Sequence, residues 1–244
     1  LKRLAYPEMS ELIEALRFLT IIPVRASFDE FALRRSVRFF PLVGLFIGIV
    51  SLLSFFFLSR FFYREVSVFL TVFIWESITG GIHIDGFSDT MDGIMSRRDR
   101  EGILEIMRDS RIGTFGAMGI FFILGLKYLA LNSSGNISIS LLLSPTIGRF
   151  LIVLAIHLFP YARKEGKGSV FSGTLERGGL LFAFISTLIL AIILGRFRGF
   201  IALFFSLFSG YLFGLYLNWR IGGLTGDNYG AICEFTEAIV LLVL

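Results

Sequence analysis

The sequence predicts an all-α, polytopic transmembrane bundle of six to seven spans, and three observations carry that prediction. Of the 244 residues, 55% are hydrophobic and only 17% are charged, against about 25% charged in an ordinary soluble domain. Apolar stretches that approach the roughly 20 residues needed to cross a bilayer recur along the chain. Lys and Arg are also shared unequally between the segments that join those stretches. Phe alone occurs 29 times. A water-soluble fold of this length would leave much of that apolar surface in water, whereas a bilayer accommodates it. Neither a linker nor a low-complexity segment divides the chain, so residues 1–244 are read as a single integral membrane domain.

Taken in order, Leu12, Leu16 and Leu19 follow i, i+4, i+7 spacing with Glu11, Glu14 and Arg17 between them. This predicts a short amphipathic helix on the membrane surface, with Pro7 before it and Pro23 ending it. The same charges interrupt the first apolar run, so no cleavable signal peptide is expected. Six spans follow at approximately 39–59, 66–80, 113–131, 137–159, 179–195 and 199–217, then a weaker one at 230–244. The second is short and ends at Glu76 and the Gly80–Gly81 pair. The last carries Glu234 and Glu237.

With the N-terminus in the cytoplasm and all seven segments crossing, 17 of the 23 Lys and Arg fall in the cytoplasmic segments 1–38, 81–112, 160–178 and 218–229. Four fall in the opposite loops, and Lys127 and Arg149 lie within spans. This bias orients the first six spans whether or not the seventh crosses. It predicts a multi-pass protein of the cytoplasmic membrane, with its long polar segments and its chemistry on the cytoplasmic side. The net charge of +4 follows this topology and forms no dense basic patch, so the lipid bilayer and not nucleic acid is the expected partner. A homo-oligomer is compatible with the sequence. The single cysteine, Cys233, excludes an intrachain disulfide and reads as an inert core thiol.

The chemistry-bearing residues gather in two places. Asp85, Asp89 and Asp92 are spaced i, i+4, i+7 and lie along one face of a helix. Three carboxylates this close repel one another unless a cation holds them, and hard oxygen donors suit Mg²⁺ or Mn²⁺ rather than zinc. His83 stands two residues before the first of them, without the Cys or second His that a zinc site would need. The second acidic group is Asp227, Glu234 and Glu237, with Asn228 adjacent. Carboxylates inside an apolar span are expensive and mark function or a buried ion pair, for which Arg149 and Lys127 are the available partners. The stretches Gly80–Gly81–Ile82–His83–Ile84–Asp85 and Gly222–Gly223–Leu224–Thr225–Gly226–Asp227 share a Gly-Gly-apolar-x-x-Asp pattern. In both, the glycines end a helix and let the backbone turn closely.

Between 97 and 111 the chain is dense in charge, and its i, i+4 pairs Glu101–Glu105 and Glu105–Asp109 are like-charged, so helix support does not explain them. Arg108 and Arg111 could grip phosphate oxygens with their planar forks; anchoring beside the third span accounts for them equally well. The loop 160–178 carries Arg163, Lys164 and Lys167 with Gly166 and Gly168, and reads as an anion-contacting loop or a topology determinant. His157 reads as a packed or snorkelling side chain at a span end.

A cation-binding carboxylate cluster beside arginines suggests phosphoryl or phosphodiester chemistry. Asp89-x-x-Asp92-Gly93-x-x-Ser96-Arg97 partly resembles the first half of the CDP-alcohol phosphotransferase motif, but the second half is missing. An ion-coupled transporter would place its acids near the bilayer midplane, whereas here they cluster toward one face. A closer resemblance covers nearly the whole chain. Phe40–Gly44, GGIHIDGFSDTMDG at 80–93, LEIMRDSRIGTFGA at 104–117, Ser144–Pro145 with Gly148–Arg149, and GGLTGDNYGAICEFTE at 222–237 together resemble the cobalamin synthase family of membrane enzymes, the adenosylcobinamide-GDP ribazoletransferases.

The resemblance implies that adenosylcobinamide-GDP is joined to α-ribazole or α-ribazole 5′-phosphate, that GMP is released, and that Mg²⁺ is the cofactor. Under it, Asp85, Asp89 and Asp92 hold Mg²⁺ on the pyrophosphate. Asp227 and Glu234, with Asp92, complete the metal shell or activate the attacking hydroxyl. Arg108, Arg111 and Arg149 are implied phosphate contacts, and His83, Arg97, Asp109, Thr225 and Asn228 further substrate contacts. The large corrin ring would lie at the membrane surface against aromatic span ends.

Overall fold

The computed structural model describes residues 7–24, 29–163, 168–171, 173 and 176–244. Among them are ten α-helices: α1 Pro7–Leu19, α2 Glu30–Ser36, α3 Phe40–Leu58, α4 Arg64–Ile78, α5 Ile82–Met95, α6 Arg100–Ile106, α7 Thr114–Ser133, α8 Ile137–Leu158, α9 Arg177–Ile221 and α10 Gly226–Val243. No strand occurs among the described residues, and one isolated bridge joins Tyr161 to Leu224.

Four helical stretches are long and apolar enough to cross a bilayer, Glu30–Leu58, Thr114–Ser133, Ile137–Leu158 and Arg177–Ile221; a fifth is added if α4 and α5, which meet at 89°, form one bent span. The bend has a local cause. Gly80 (φ 65°) and Gly81 (φ 70°) both adopt the left-handed conformation that glycine tolerates best. They end α4 and send α5 off at a right angle, across one end of the bundle.

The 45 residues of α9 would extend about 67 Å as a straight helix, twice the roughly 30 Å hydrocarbon core. They are not straight. Arg196 breaks the helix at φ 51°, ψ −134°. Before it, Gly195 lies against Leu143 and Phe184 against Phe150; after it, Gly199 lies against Leu143, Gly210 against Leu151 and Gly214 against Phe159. The first arm therefore runs antiparallel to α8 and the second parallel to it, as the separate stretches 179–195 and 199–217 require.

The centre of the bundle is α8 and α10. Gly44 and Gly48 let the backbone of α3 approach that of α8 around Leu141 and Pro145, where a Cβ on Gly48 would come within 2.6 Å of the Leu141 carbonyl. That carbonyl stands four residues before Pro145, which has no N–H to offer it. The outer faces are lined with exposed Phe, Ile and Leu, including Phe121, Ile193, Phe197 and Phe204.

The N-terminal helix departs from the expected surface helix. Glu11 and Glu14 are buried, not solvent-facing. Glu11 pairs with Arg38 at 2.7 Å and with Arg35 at 3.4 Å, and Glu14 pairs with Arg17. The charged side of α1 therefore packs inward, against Arg35 of α2 and Arg38 of the turn between α2 and α3, and a single-helix pattern cannot show partners supplied from elsewhere in the chain.

Candidate functional site

The site grows from the crossing of α5 over the first turns of α10. The helices touch backbone to backbone. A Cβ on Gly86 would fall 2.7 Å from the Asp227 carbonyl, and one on Gly230 would fall 2.9 Å from the His83 carbonyl. Each motif thus supplies the glycine that admits the other's polar residue. The start of α10 is fixed by a capping box: Asn228 N–H donates to Thr225 Oγ1 at 3.3 Å, and Asn228 Oδ1 accepts from Thr225 N–H at 2.9 Å. Asn228 Nδ2 also donates to Thr90 Oγ1 at 3.0 Å, which ties the cap to α5. Thr225 and Asn228, expected as substrate contacts, are fully buried in this cap.

Beside the crossing is a cavity of about 120 Å³. Asp85, Asp227, His83 and Tyr229 give it polar walls, and Phe18, Phe40 and Phe171 pack edge-on or stacked over one another along its apolar side. Arg163, on the loop after α8, pairs with one of these wall residues, with Nη1 3.0 Å from Asp227 Oδ2. That loop is held by two backbone bonds, Ala162 N–H to the Leu224 carbonyl and Leu224 N–H to the Pro160 carbonyl, each 2.8 Å. The sequence offered Arg163 only as part of a basic loop. No local pattern marks Phe18, Phe171 or Tyr229. Lys164, Gly166 and Lys167 lie outside the described residues.

The aspartates do not form the single edge the spacing suggested. Residues seven apart on a helix are separated by about 10 Å along its axis, too far to share one ion. Asp85 faces the cavity. Asp92 instead caps α7, its two oxygens accepting from Gly113 N–H at 2.7 Å and Gly116 N–H at 2.8 Å, and those glycines leave room for the carboxylate. Among the described residues, no three of Asp85, Asp89, Asp92 and Asp227 bring oxygens within 4.8 Å of one another.

Asp89 sits between the two ends. Partial burial, then the charges of Asp85, Asp227 and Asp92, push its carboxyl up to about 7. The donors of Asp85, Asp89 and Asp227 are hard carboxylate oxygens, the chemistry that suits a divalent cation of the Mg²⁺ kind.

Deeper in the bundle is the one three-carboxylate cluster among the described residues, Glu76, Glu234 and Glu237. A cation already occupies it: Lys127 Nζ lies 2.7, 2.6 and 2.5 Å from their oxygens. Glu237 also pairs with Arg149, whose Nη2 reaches His83 Nδ1 at 3.2 Å. Lys127, Arg149, Glu234 and Glu237 are all fully buried. Glu234 and Arg149 therefore stand in a buried ion network and not on the cavity wall. The sequence correctly offered Lys127 and Arg149 as partners for the intramembrane acids.

Arg97, Arg108 and Arg111 are exposed on the connection that carries α6. Arg111 is forked onto Asp109, with Nη2 2.6 Å from Oδ2, and that bond holds the Asp109 carboxyl down at about 2. None of these four lines the cavity.

An apolar-surfaced helical bundle with several helices long enough to cross a bilayer fits a membrane protein, and it carries a carboxylate-walled cavity beside the crossing of α5 and α10. Within that class the chain belongs to the cobalamin-5-phosphate synthase family, which it matches over residues 11–244. Its relatives include proteins named adenosylcobinamide-GDP ribazoletransferase from three organisms. That of Roseiflexus sp. (strain RS-1) is 42% identical, over 95% of this chain and 87% of the relative. Those of Alkaliphilus metalliredigens and Clostridium novyi are each 36% identical, the first over 96% of this chain and 94% of the relative, the second over 97% and 96%. No solved structure matches. The family resemblance carried together by the stretches at 40–44, 80–93, 104–117, 144–149 and 222–237 is thus borne out.

Proposed function

We propose that the protein is an Mg²⁺-dependent adenosylcobinamide-GDP ribazoletransferase of the cytoplasmic membrane. The observation that carries this reading is the cavity in which the two Gly–Gly motifs present Asp85 and Asp227 on one wall, in a chain that the family matches from residue 11 to residue 244. In the reaction, a ribose hydroxyl oxygen of α-ribazole, or of α-ribazole 5′-phosphate, whose 5′-oxygen is already esterified, bonds to the phosphorus nearer cobinamide. The P–O bond to GMP breaks, and an attacking hydroxyl gives up its proton.

Asp85, Asp89 and Asp227 would hold the cation, which when bound neutralises charge on the pyrophosphate oxygens. Asp227 Oδ2 is engaged by Arg163 and by Thr225 Oγ1, which donates to it at 3.3 Å, and its other oxygen completes the metal shell or accepts the hydroxyl proton. Arg163 faces the leaving phosphate. Asp92 fixes the angle between α5 and α7, which keeps the other aspartates in place. The aromatic side of the cavity, Phe18, Phe40 and Phe171, receives apolar parts of the substrate.

In this reading α3, α4, α7, α8, both arms of α9 and α10 cross the bilayer. The helix α5 lies along its cytoplasmic surface, the side favoured by the distribution of Lys and Arg. Purified protein mixed with adenosylcobinamide-GDP, α-ribazole 5′-phosphate and Mg²⁺ is expected to release GMP and to stop when EDTA is added. No GMP under these conditions, from folded protein, refutes the proposal.

A further inference from the structure

His83 belongs to the first turn of α5, its backbone pressed against Gly230; the residue is 4% exposed and lines the cavity. One ring nitrogen is already spoken for. Nδ1 lies 3.2 Å from Arg149 Nη2. A guanidinium has donors only and keeps its proton in proteins, so Nδ1 must accept, and the single ring proton of a neutral imidazole then sits on Nε2.

Arg149 has no freedom to reverse this arrangement. Its Nη1 is paired with Glu237, whose other oxygen is 2.5 Å from Lys127 Nζ. A Cβ on Gly148 would meet the Glu237 side chain at 2.8 Å, so α8 and α10 have no slack there. The remaining nitrogen, Nε2, has no protein partner among the described residues. It is also absent from the buried atoms left without one, which include Arg149 Nε and Glu234 Oε1. With the ring on the cavity wall, the atom that stays accessible opens into the cavity.

We propose that Glu237 and Arg149 are positioning residues that hold His83 with its proton on Nε2, aimed into the cavity as a hydrogen-bond donor to a phosphate oxygen of the substrate. The tautomer follows from the geometry; the identity of the acceptor rests on the reaction proposed above. The chemistry of the walls favours such a donor. Asp85 and Asp227 offer acceptors to a ligand that is itself rich in acceptors, and a neutral N–H on His83 joins the Tyr229 hydroxyl as a donor that carries no charge to be neutralised. A neutral N–H adds a fixed dipole toward developing phosphate charge without competing for the carboxylates.

The chain has only two histidines, and His157 is exposed outside the site. A His157→Gln background therefore leaves His83 as the sole signal in ¹⁵N-histidine NMR of the full chain in detergent or nanodiscs. At pH 8, without substrate, the expected signal is the neutral Nε2–H tautomer. Arg149→Lys, which keeps a donor-only cation, is expected to preserve it, and Arg149→Met to give mixed tautomers. In GMP release, His83→Ala and His83→Asn are expected to lose about a hundredfold in kcat, the usual effect of removing one such donor. His83→Gln, whose amide N–H reaches toward the Nε2 position, is expected to recover at least tenfold of that loss.

An Nδ1–H tautomer in the unsubstituted ring overturns the proposal, as does a folded His83→Gln no better than His83→Ala. A wild-type protein that releases no GMP defeats the reaction and not the tautomer, which the NMR signal scores by itself.

Discussion

Replacing Gly86 by alanine adds one methyl group where α5 crosses α10. The new Cβ would stand 2.7 Å from the Asp227 carbonyl oxygen and 2.8 Å from its Cα. Both are backbone atoms and cannot rotate aside, so ordinary contact at 3.4 Å requires the helices to part by about 0.7 Å there. Forcing a methyl into a packed site costs about 1–3 kcal/mol, and each kcal/mol lowers Tm by about 2–4 °C in a chain of this size. The same displacement carries Asp227 away from Asp85 and Asp89. Misplacement on the order of 1 Å can cost about a hundredfold in rate, so turnover is expected to fall at least tenfold. The assay is thermal unfolding in detergent alongside GMP release, with Gly125→Ala as control because nothing lies within 4 Å of that position. A Gly86→Ala protein with unchanged Tm and full turnover would refute the backbone-contact account of the site.

Three further outcomes follow from the geometry. Asp92→Asn removes charge from the cap of α7 and is expected to cost about 0.5–2 kcal/mol of stability while leaving Mg²⁺ affinity, measured by titration calorimetry, within a few-fold of wild type. Lys127→Met strands the buried Glu234, leaves the half-buried Glu76 unpaired and leaves Glu237 with Arg149 alone, and is expected to destabilise by about 3–5 kcal/mol, read as lost yield and lowered Tm. The carboxyl of Asp89, pushed up to about 7, destabilises the folded state as pH rises from its ordinary value near 3.8 through 7, because the folded site resists the charge that the unfolded chain accepts. A cation on that site relieves the penalty, so the Tm gain from Mg²⁺ is expected to grow between pH 6 and 8 and to lose that pH dependence in Asp89→Asn.

The fold was legible where one helix carries its own explanation. The stretches 113–131 and 137–159 correspond to α7 and α8, and 39–59 to α3, because a long apolar run has few alternatives. The turns at Gly80–Gly81 and Gly222–Gly223 were equally legible, since all four residues take positive φ. What local pattern could not supply was partnership. The segment 230–244 read as weak because Glu234 and Glu237 lowered its apolar character, yet α10 is central once Lys127 and Arg149 meet those acids from other helices. The face shared by Asp85, Asp89 and Asp92 was real as a helical face. Spacing shows direction around an axis, however, and gives no sign that the N–H groups of Gly113 and Gly116 wait at one end of it.

The buried ammonium of Lys127 also bears on the order in which the chain enters the bilayer. In the proposed topology α10, taken alone, would present Glu234 and Glu237 to lipid, and charged residues at mid-helix cost roughly 2.5–3.5 kcal/mol each on insertion. Lys127 and Arg149 emerge from the ribosome about a hundred residues earlier, so their cationic sockets precede the acids that fill them. In that topology α10 is admitted as a plug that completes a charge-matched core, and its arrival closes the wall on which Asp227 stands.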